Sequence, residues 1–82
     1  MKDHVYMEFS QAGTNKFWEA TLDGRKFKVH WGKIGTKGQS QTRTFRTEEE
    51  ALRKFETMAR SKVRKGYVEI VEESDADEDE EE

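Results

Sequence analysis

Residues 27–39 read FKVHWGKIGTKGQ and join a strand pattern to a glycine-rich turn. Apolar Phe27, Val29 and Trp31 alternate with polar residues, and this period of two predicts a strand that is buried on one face. Three glycines and two lysines follow directly, and such a run predicts a turn. A strand that ends in a tryptophan and continues into cations and glycines is a candidate surface for binding a phosphate backbone.

Two more strand patterns precede this stretch. Residues 4–10 alternate apolar and polar side chains and are followed by QAGT at residues 11–14. Residues 17–22 alternate in the same way, and the Asp23-Gly24 pair predicts a two-residue hairpin turn into a strand at residues 26–31. The three patterns together predict an antiparallel meander.

A helix and two shorter strands complete the predicted fold. Residues 40–45 are polar but rich in threonine, which suits a strand with one solvated face. Thr47 and Glu50 match a capping box, and Gly66 is a helix stop before a last strand at residues 67–71. We therefore expect an α+β fold, a twisted antiparallel sheet with one helix packed on one face. The apolar stripe of that helix is predicted to contain Ala51, Leu52, Phe55, Met58 and Ala59, with Phe55 opposite Trp18 in the core.

The order of these motifs resembles the WGR domain, which is named for a Trp-Gly-Arg triplet. The likeness covers residues 15–68 and rests on NKFWE at residues 15–19, WGKIG at residues 31–35 and GYV at residues 66–68. Lys33 stands in the third position of the triplet in place of arginine. The WGR domain accompanies the catalytic region of DNA-break-activated poly(ADP-ribose) polymerases and also occurs in bacterial proteins. The resemblance implies the same architecture and a role in DNA binding.

The resemblance also implies roles for individual residues. Trp31 would pack against the sugar at a DNA terminus, and Lys33 would replace the arginine that contacts the backbone nearby. Asn15 and Lys16 would approach the terminal phosphate. Because an ammonium is a compact, hydrated point charge and cannot fork onto two phosphate oxygens as a guanidinium does, Lys33 is expected to bind the backbone less specifically.

The residues themselves point to the same region. A phosphate backbone is bound by cations, by backbone N–H groups that can approach closely and by aromatic faces for an exposed sugar or base. Glycines in the turn allow positive φ and bring amides near an anion, and Lys26 would add to the positive field. The candidate DNA-binding residues are Asn15, Lys16, Lys28, Trp31, Gly32, Lys33, Gly35, Lys37 and Arg43.

Four of these residues also have a purely structural interpretation. Trp31 shares its parity with Phe27 and Val29, which is typical of a core residue. Asn15 before a strand is commonly a turn former. Lys33 and Lys37 are the kind of lysine that is often simply solvated in a turn. The sequence leaves both interpretations open.

The formal charge of −3 conceals a segregation of charge along the chain. Residues 72–82 hold nine of the eighteen carboxylates and no base, so residues 1–71 carry fifteen bases against nine acids, a formal +6. We expect residues 1–71 to form the domain and residues 72–82 to be a disordered acidic tail, because such a run cannot bury apolar surface. The tail would either aid solubility or fold over the basic face and compete with phosphate.

The composition argues against most other functions. The chain has two histidines and no cysteine, so we expect no enzyme activity, no metal site and no cofactor, and the turn glycines lack the order of a Walker loop. No apolar run suggests a signal peptide or a membrane span, so a cytoplasmic, nucleoid-associated or nuclear location is expected. The leading hypothesis is a DNA-binding module that contacts the phosphate backbone, including strand ends or nicks. The alternative is a protein-interaction adaptor that uses the sheet and the acidic tail.

Overall fold

The computed structural model describes residues 2–70 and consists of one sheet and one helix. All strand pairs are antiparallel, and the five strands lie in the order β4-β3-β2-β1-β5. This arrangement confirms the predicted α+β architecture. The elements are β1 (Lys2–Gln11), β2 (Thr14–Asp23), β3 (Lys26–Lys33), β4 (Gln39–Thr44), α1 (Glu48–Lys65) and β5 (Val68–Glu69).

Two-residue turns close the first two hairpins. Ala12 and Gly13 have φ values of 53° and 82°, and positive φ at both central residues matches the twist of the flanking strands. Between β2 and β3 the prediction of a turn at Asp23-Gly24 is wrong by one residue. Asp23 pairs with Lys26, so the turn consists of residues 24–25, with Gly24 at φ 64° as its first central residue.

The helix packs on one face of the sheet. The core cluster contains Trp18, which is 2% exposed, and the half-buried Phe55 packs against this cluster, with its ring 6.2 Å from that of Phe27 between centroids. The placement of Phe55 directly opposite Trp18 stays a prediction. Leu52 lies at the margin of the apolar stripe and is 37% exposed. Burying these side chains supplies most of the helix's stability, because helices of this length are marginal in isolation. The buried cluster comprises Val5, Met7, Trp18, Ala20, Leu22, Phe27, Val29 and Ala51.

Both ends of α1 are capped. The Thr47 hydroxyl accepts a hydrogen bond from the Glu50 amide at 3.1 Å, which is the first half of the predicted capping box. The return bond from the Glu50 side chain is not among the hydrogen bonds of residues 2–70. At the other end Gly66 has φ 113°, and Tyr67 N–H donates to the Lys62 carbonyl in a Schellman arrangement.

The charges of α1 are also distributed unevenly along its axis. The first turn carries three glutamates, residues 48–50, and the last turn carries Lys62, Arg64 and Lys65. This order complements the helix dipole, whose N-terminus is positive and whose C-terminus is negative. It also brings three cations to the place where the chain returns to the sheet.

The last strand is shorter in the structure than predicted. Its ladder pairs Val68 with Glu8 and Glu69 with Met7, and Ile70 N–H then donates to the Tyr6 carbonyl at 2.9 Å. Val71, where the predicted strand ends, and the predicted acidic tail at residues 72–82 lie outside the described residues. Within residues 2–70, α1 is not apolar enough to cross a membrane.

Two glycines bring the β3–β4 turn into close backbone contact. A Cβ atom on Gly38 would lie 2.3 Å from the Trp31 carbonyl oxygen and 2.9 Å from Cζ of Phe17. A Cβ on Gly32 would lie 2.7 Å from Cα of Gly38. All three distances are shorter than real Cβ contacts allow, so neither position accommodates a side chain without a shift of the backbone.

We therefore expect Gly38→Ala to lower the free energy of unfolding by about 3 kcal/mol or more, from positive φ and the backbone clash together. Gly35→Ala is the matched control in the same turn, since Gly35 has φ 98° but open space around its Cα. It should cost only about 1–2 kcal/mol. Urea unfolding measures both, and equal losses would contradict the importance of the close approach.

Candidate functional site

The β3–β4 turn is held against β2 by backbone hydrogen bonds. Ile34 N–H donates to the Asn15 carbonyl at 3.0 Å. The Thr36 amide and hydroxyl both donate to the Lys33 carbonyl, at 3.1 and 2.8 Å. The glycine-rich turn, residues 34–38, is therefore an ordered part of the sheet edge, and its tip carries Gly35 and Lys37.

Strand register brings part of the predicted site together. Lys16 pairs with Lys33, and Trp18 pairs with Trp31. Directly opposed residues of an antiparallel pair share a face, so these residues lie on the face that α1 covers. Trp31 is half-buried and packs against the edge of the core, which agrees in part with its structural interpretation, while its contact with a DNA terminus stays a prediction.

The C-terminal turn of α1 adds Lys62 and Lys65, which the sequence did not predict as part of a site. Lys62 Nζ lies 5.7 Å from the centroid of the Trp18 ring and 5.4 Å from that of Tyr67. Lys16 Nζ lies 5.3 Å from the centroid of the Phe9 ring. These ammonium groups therefore sit over aromatic faces, where the ring quadrupole attracts them.

The lysines at this end of the sheet also repel one another. Burial lowers the pKa of Lys62, and the nearby charges of Lys65 and then Lys16 lower that pKa further. None of the three forms an ion pair with a carboxylate within residues 2–70. The negative charge of an anion bound here would offset both the repulsion among the lysines and the cost of burying the Lys62 ammonium. We call the group of Lys16, Trp31, Lys33, Lys62 and Lys65 the basic corner.

The other predicted residues lie elsewhere. Lys28 is on the opposite, helix-free face, where it pairs with Thr21. Arg43 pairs with Phe27, six residues from Lys33 along β3, or about 20 Å at ~3.3 Å per residue. Its guanidinium lies 5.2 Å from the centroid of the Phe45 ring. The nine predicted residues therefore do not form one continuous surface.

Asn15 lies inside β2, so its interpretation as a turn former is wrong. The turn is formed by Ala12 and Gly13, because Gln11 already pairs with Thr14. The side-chain oxygen of Asn15 accepts a hydrogen bond from the Ser10 hydroxyl at 2.7 Å, and the Asn15 backbone carbonyl holds the glycine-rich turn. Asn15 lies at the same end of the sheet as Lys16, but its side chain is on the helix-free face.

The helix-free face contains a second polar cluster. His4 Nε2 lies 2.6 Å from Oε2 of Glu19, and His30 Nδ1 lies 3.4 Å from Oε1 of the same carboxylate. The hydrogen bond from His4 lowers the pKa of Glu19 most, burial opposes this effect, and the His30 contact lowers the pKa further. The two histidines, far apart in sequence, thus share one carboxylate. Within residues 2–70 no group of three or more ligating side chains has the arrangement of a metal site.

Signals for the missed residues were present but weak. Lys62 and Lys65 are three residues apart on α1, so they share a face, and basic residues are common in the last turn of a helix. Only the docking of the helix end beside Lys16 makes them part of a site. Tyr67 follows the predicted helix stop and packs at 5.3 Å on Phe9, between ring centroids.

Comparison with known proteins assigns this architecture to a family. The sequence model of the WGR domain matches residues 3–74. The chain is 38% identical over 56 residues to the uncharacterized protein YfeS of Escherichia coli K12, a match that covers 68% of this chain and 23% of YfeS. It is 36% identical over 69 residues to the protein YehF of the same organism, covering 84% of this chain and 24% of YehF.

A solved structure agrees with these matches. A crystal structure of a protein from Bacteroides fragilis superposes with a TM-score of 0.81 and 33% identity, covering 88% of this chain and 20% of that one. This chain spans about a quarter of the length of the curated relatives that it matches.

The electrostatic coupling within the basic corner can be measured directly. We expect Lys65→Met to raise the pKa of Lys62 toward its ordinary value, and Lys16→Met to raise it by less, because each substitution removes a neighbouring positive charge. Lys26→Met, at the opposite end of the sheet, should leave that pKa unchanged. NMR titration of the Lys62 side chain gives the values. A Lys62 pKa that none of the three variants alters would show that the lysines are not coupled.

Proposed function

We propose, because the chain belongs to the WGR domain family, that it is a non-enzymatic module that binds the phosphate backbone of DNA through the basic corner. The observation that carries this proposal is the set of ammonium groups of Lys16, Lys62 and Lys65. They crowd one end of the sheet with no carboxylate partner within residues 2–70. Phosphates are the anions that a cluster of lysines binds as point charges.

The aromatic rings of the corner suit a nucleic acid better than a simple anion. The Lys62 ammonium lies over the rings of Trp18 and Tyr67. The half-buried ring of Trp31 is partly exposed to solvent and lies near Lys33 on the same strand. A cation next to an accessible aromatic face can engage a phosphate and the adjoining sugar or base together. The same arrangement supports a preference for strand ends.

End preference has a simple physical basis. Inside a duplex each base is stacked on both sides, so an aromatic side chain reaches only the backbone and the groove. At an end the last sugar and base pair are uncovered, and Trp31 could contact them while the lysines hold the terminal phosphates. Lys33, as a point charge, would contribute attraction without fixing one orientation of a phosphate.

The positions of the cations also favour contacts with the DNA backbone over contacts with the edges of the bases. The cations of the basic corner lie at the C-terminal end of α1 and near the ends of β2 and β3, so they do not form one row along a helix of the kind that reads bases in the major groove. Binding that uses phosphates alone carries no sequence information. We therefore propose affinity without base specificity.

The salt dependence of binding tests the basic corner. If three or four phosphates are neutralised, the logarithm of the association constant should fall with the logarithm of salt concentration at a slope of about −3. Lys62→Gln should reduce that slope by about 1, because one phosphate contact is lost. Fluorescence anisotropy with a short duplex measures the slope.

Lys26→Gln is the matched control, since it removes the same charge at the opposite end of the sheet, where Lys26 pairs with Asp23 and Thr44. Equal effects of the two variants would mean that diffuse charge, and not the corner, drives binding. No binding at 50 mM salt by the full chain would instead favour the protein-interaction adaptor, in which the same surface docks a protein.

End recognition is tested by a pair of DNA substrates. Trp31→Leu should weaken binding to an open-ended duplex about 5- to 150-fold, the range of ~1–3 kcal/mol for one stacking contact. It should change binding to a duplex of equal length closed by hairpins at both ends by less than about twofold. Leucine keeps an apolar group against the core, and thermal melting shows whether the variant is folded. Equal losses on both substrates would count against end recognition.

A further inference from the structure

We propose that the His30 side chain positions the glycine-rich turn, and that it does so most tightly when both of its ring nitrogens carry a proton. The position of the turn beside the basic corner would then depend on whether the His30 ring is protonated. The inference concerns the free protein. Its consequence for binding rests on the proposed function, because the same turn carries two candidate DNA-binding residues, Gly35 and Lys37.

The geometry around His30 gives both ring nitrogens an acceptor. Nε2 lies 2.5 Å from the backbone carbonyl oxygen of Lys37, and Nδ1 lies 3.4 Å from Oε1 of Glu19. A carbonyl and a carboxylate can only accept hydrogen bonds. Neutral imidazole has a single N–H, so it can serve the turn or the carboxylate but not both. The imidazolium serves both.

The carboxylate partner is itself held in place and ionised. Oε2 of Glu19 contacts His4 Nε2 at 2.6 Å, which leaves Oε1 directed toward His30. This hydrogen bond is the main reason why the pKa of Glu19 lies below its ordinary value, and burial opposes it. Glu19 therefore remains an anionic acceptor throughout the range in which a histidine titrates.

His30 also belongs to the packing that supports the turn. Its ring meets Phe17 edge-on, with 4.9 Å between centroids, and Phe17 is the side chain that Gly38 approaches from above. Movement of the His30 ring would therefore disturb both the Lys37 hydrogen bond and the Phe17 contact. This pairing of a polar and an apolar contact makes His30 a positioning residue for residues 34–38.

Other charged and titratable groups lie near His30, and a pH response of the turn could arise from any of them. From β2 it faces Glu19, and Lys28 precedes it by two residues on its own strand. The opposing residue of β4 is the uncharged Ser40. The β1 residues on this face are His4, Tyr6 and Glu8. His4 contacts Glu19 but is not hydrogen-bonded to the turn, so the two histidines can be separated by substitution.

The experiment measures amide protection in the turn by NMR, in the full chain and without nucleic acid. Protection factors correct for the intrinsic pH dependence of exchange. In the unsubstituted chain we expect the Thr36 amide to be about 3- to 10-fold better protected at pH 6 than at pH 8, the effect of about one ordinary hydrogen bond.

Two substitutions of His30 distinguish a proton-dependent contact from general packing. His30→Leu keeps an apolar group against Phe17 but cannot bond Lys37, so Thr36 should be poorly protected at both pH values. His30→Gln places an amide N–H₂ near the Lys37 carbonyl and does not titrate, so it should restore protection and remove the pH response. His4→Gln is the matched control and should retain the pH response.

Several outcomes would overturn the inference. The first is protection of Thr36 that does not change with pH in the unsubstituted chain. The second is a pH response that survives in His30→Leu, and the third is a pH response that disappears in His4→Gln. Because the measurement needs no DNA, a failure here leaves the proposed function intact. Loss of DNA binding in the anisotropy experiment would likewise leave the role of His30 standing.

Discussion

The middle strand of the sheet buries side chains on both faces although only one face carries a helix. Trp18 points toward α1 and is 2% exposed, while its neighbour Phe17 points the other way and is 7% exposed. A single-helix, two-layer fold leaves one face of its sheet to be covered by other means. Here the cover is the glycine-rich turn, with help from the rings of Tyr6 and His30.

This requirement explains the composition of the turn. Gly32 and Gly38 allow two backbone segments to meet above Phe17 at distances that no Cβ permits. In the sequence these glycines suggested amides free to approach an anion, but two of the three serve a close approach within the chain itself. The turn is therefore packed against the core, and this packing also fixes the positions of the neighbouring residues Trp31 and Lys33.

The sequence predicted what depends on local chemistry. Strand alternation, the Thr47 cap and the Gly66 stop are each encoded within a few residues, and the structure contains all of them. Features set by register and docking were not predictable in this way. Pairing along the sheet separates Arg43 and Lys28 from Lys33, although all three lie within sixteen residues of chain. The sharing of Glu19 by His4 and His30, and the meeting of Lys62 with Lys16, arise only when distant segments pack together.

The uneven charge of α1 has a consequence for molecules that are still apart. Its glutamates and its C-terminal cations are separated by about 20 Å at ~1.5 Å per residue, which gives the helix a charge dipole parallel to its axis. In the field of a distant polyanion such a dipole experiences a torque before any contact is made. The helix would turn its C-terminal end forward, so that productive collisions become a larger share of all encounters. Cations spread evenly along the helix would remove this contribution to the orientation.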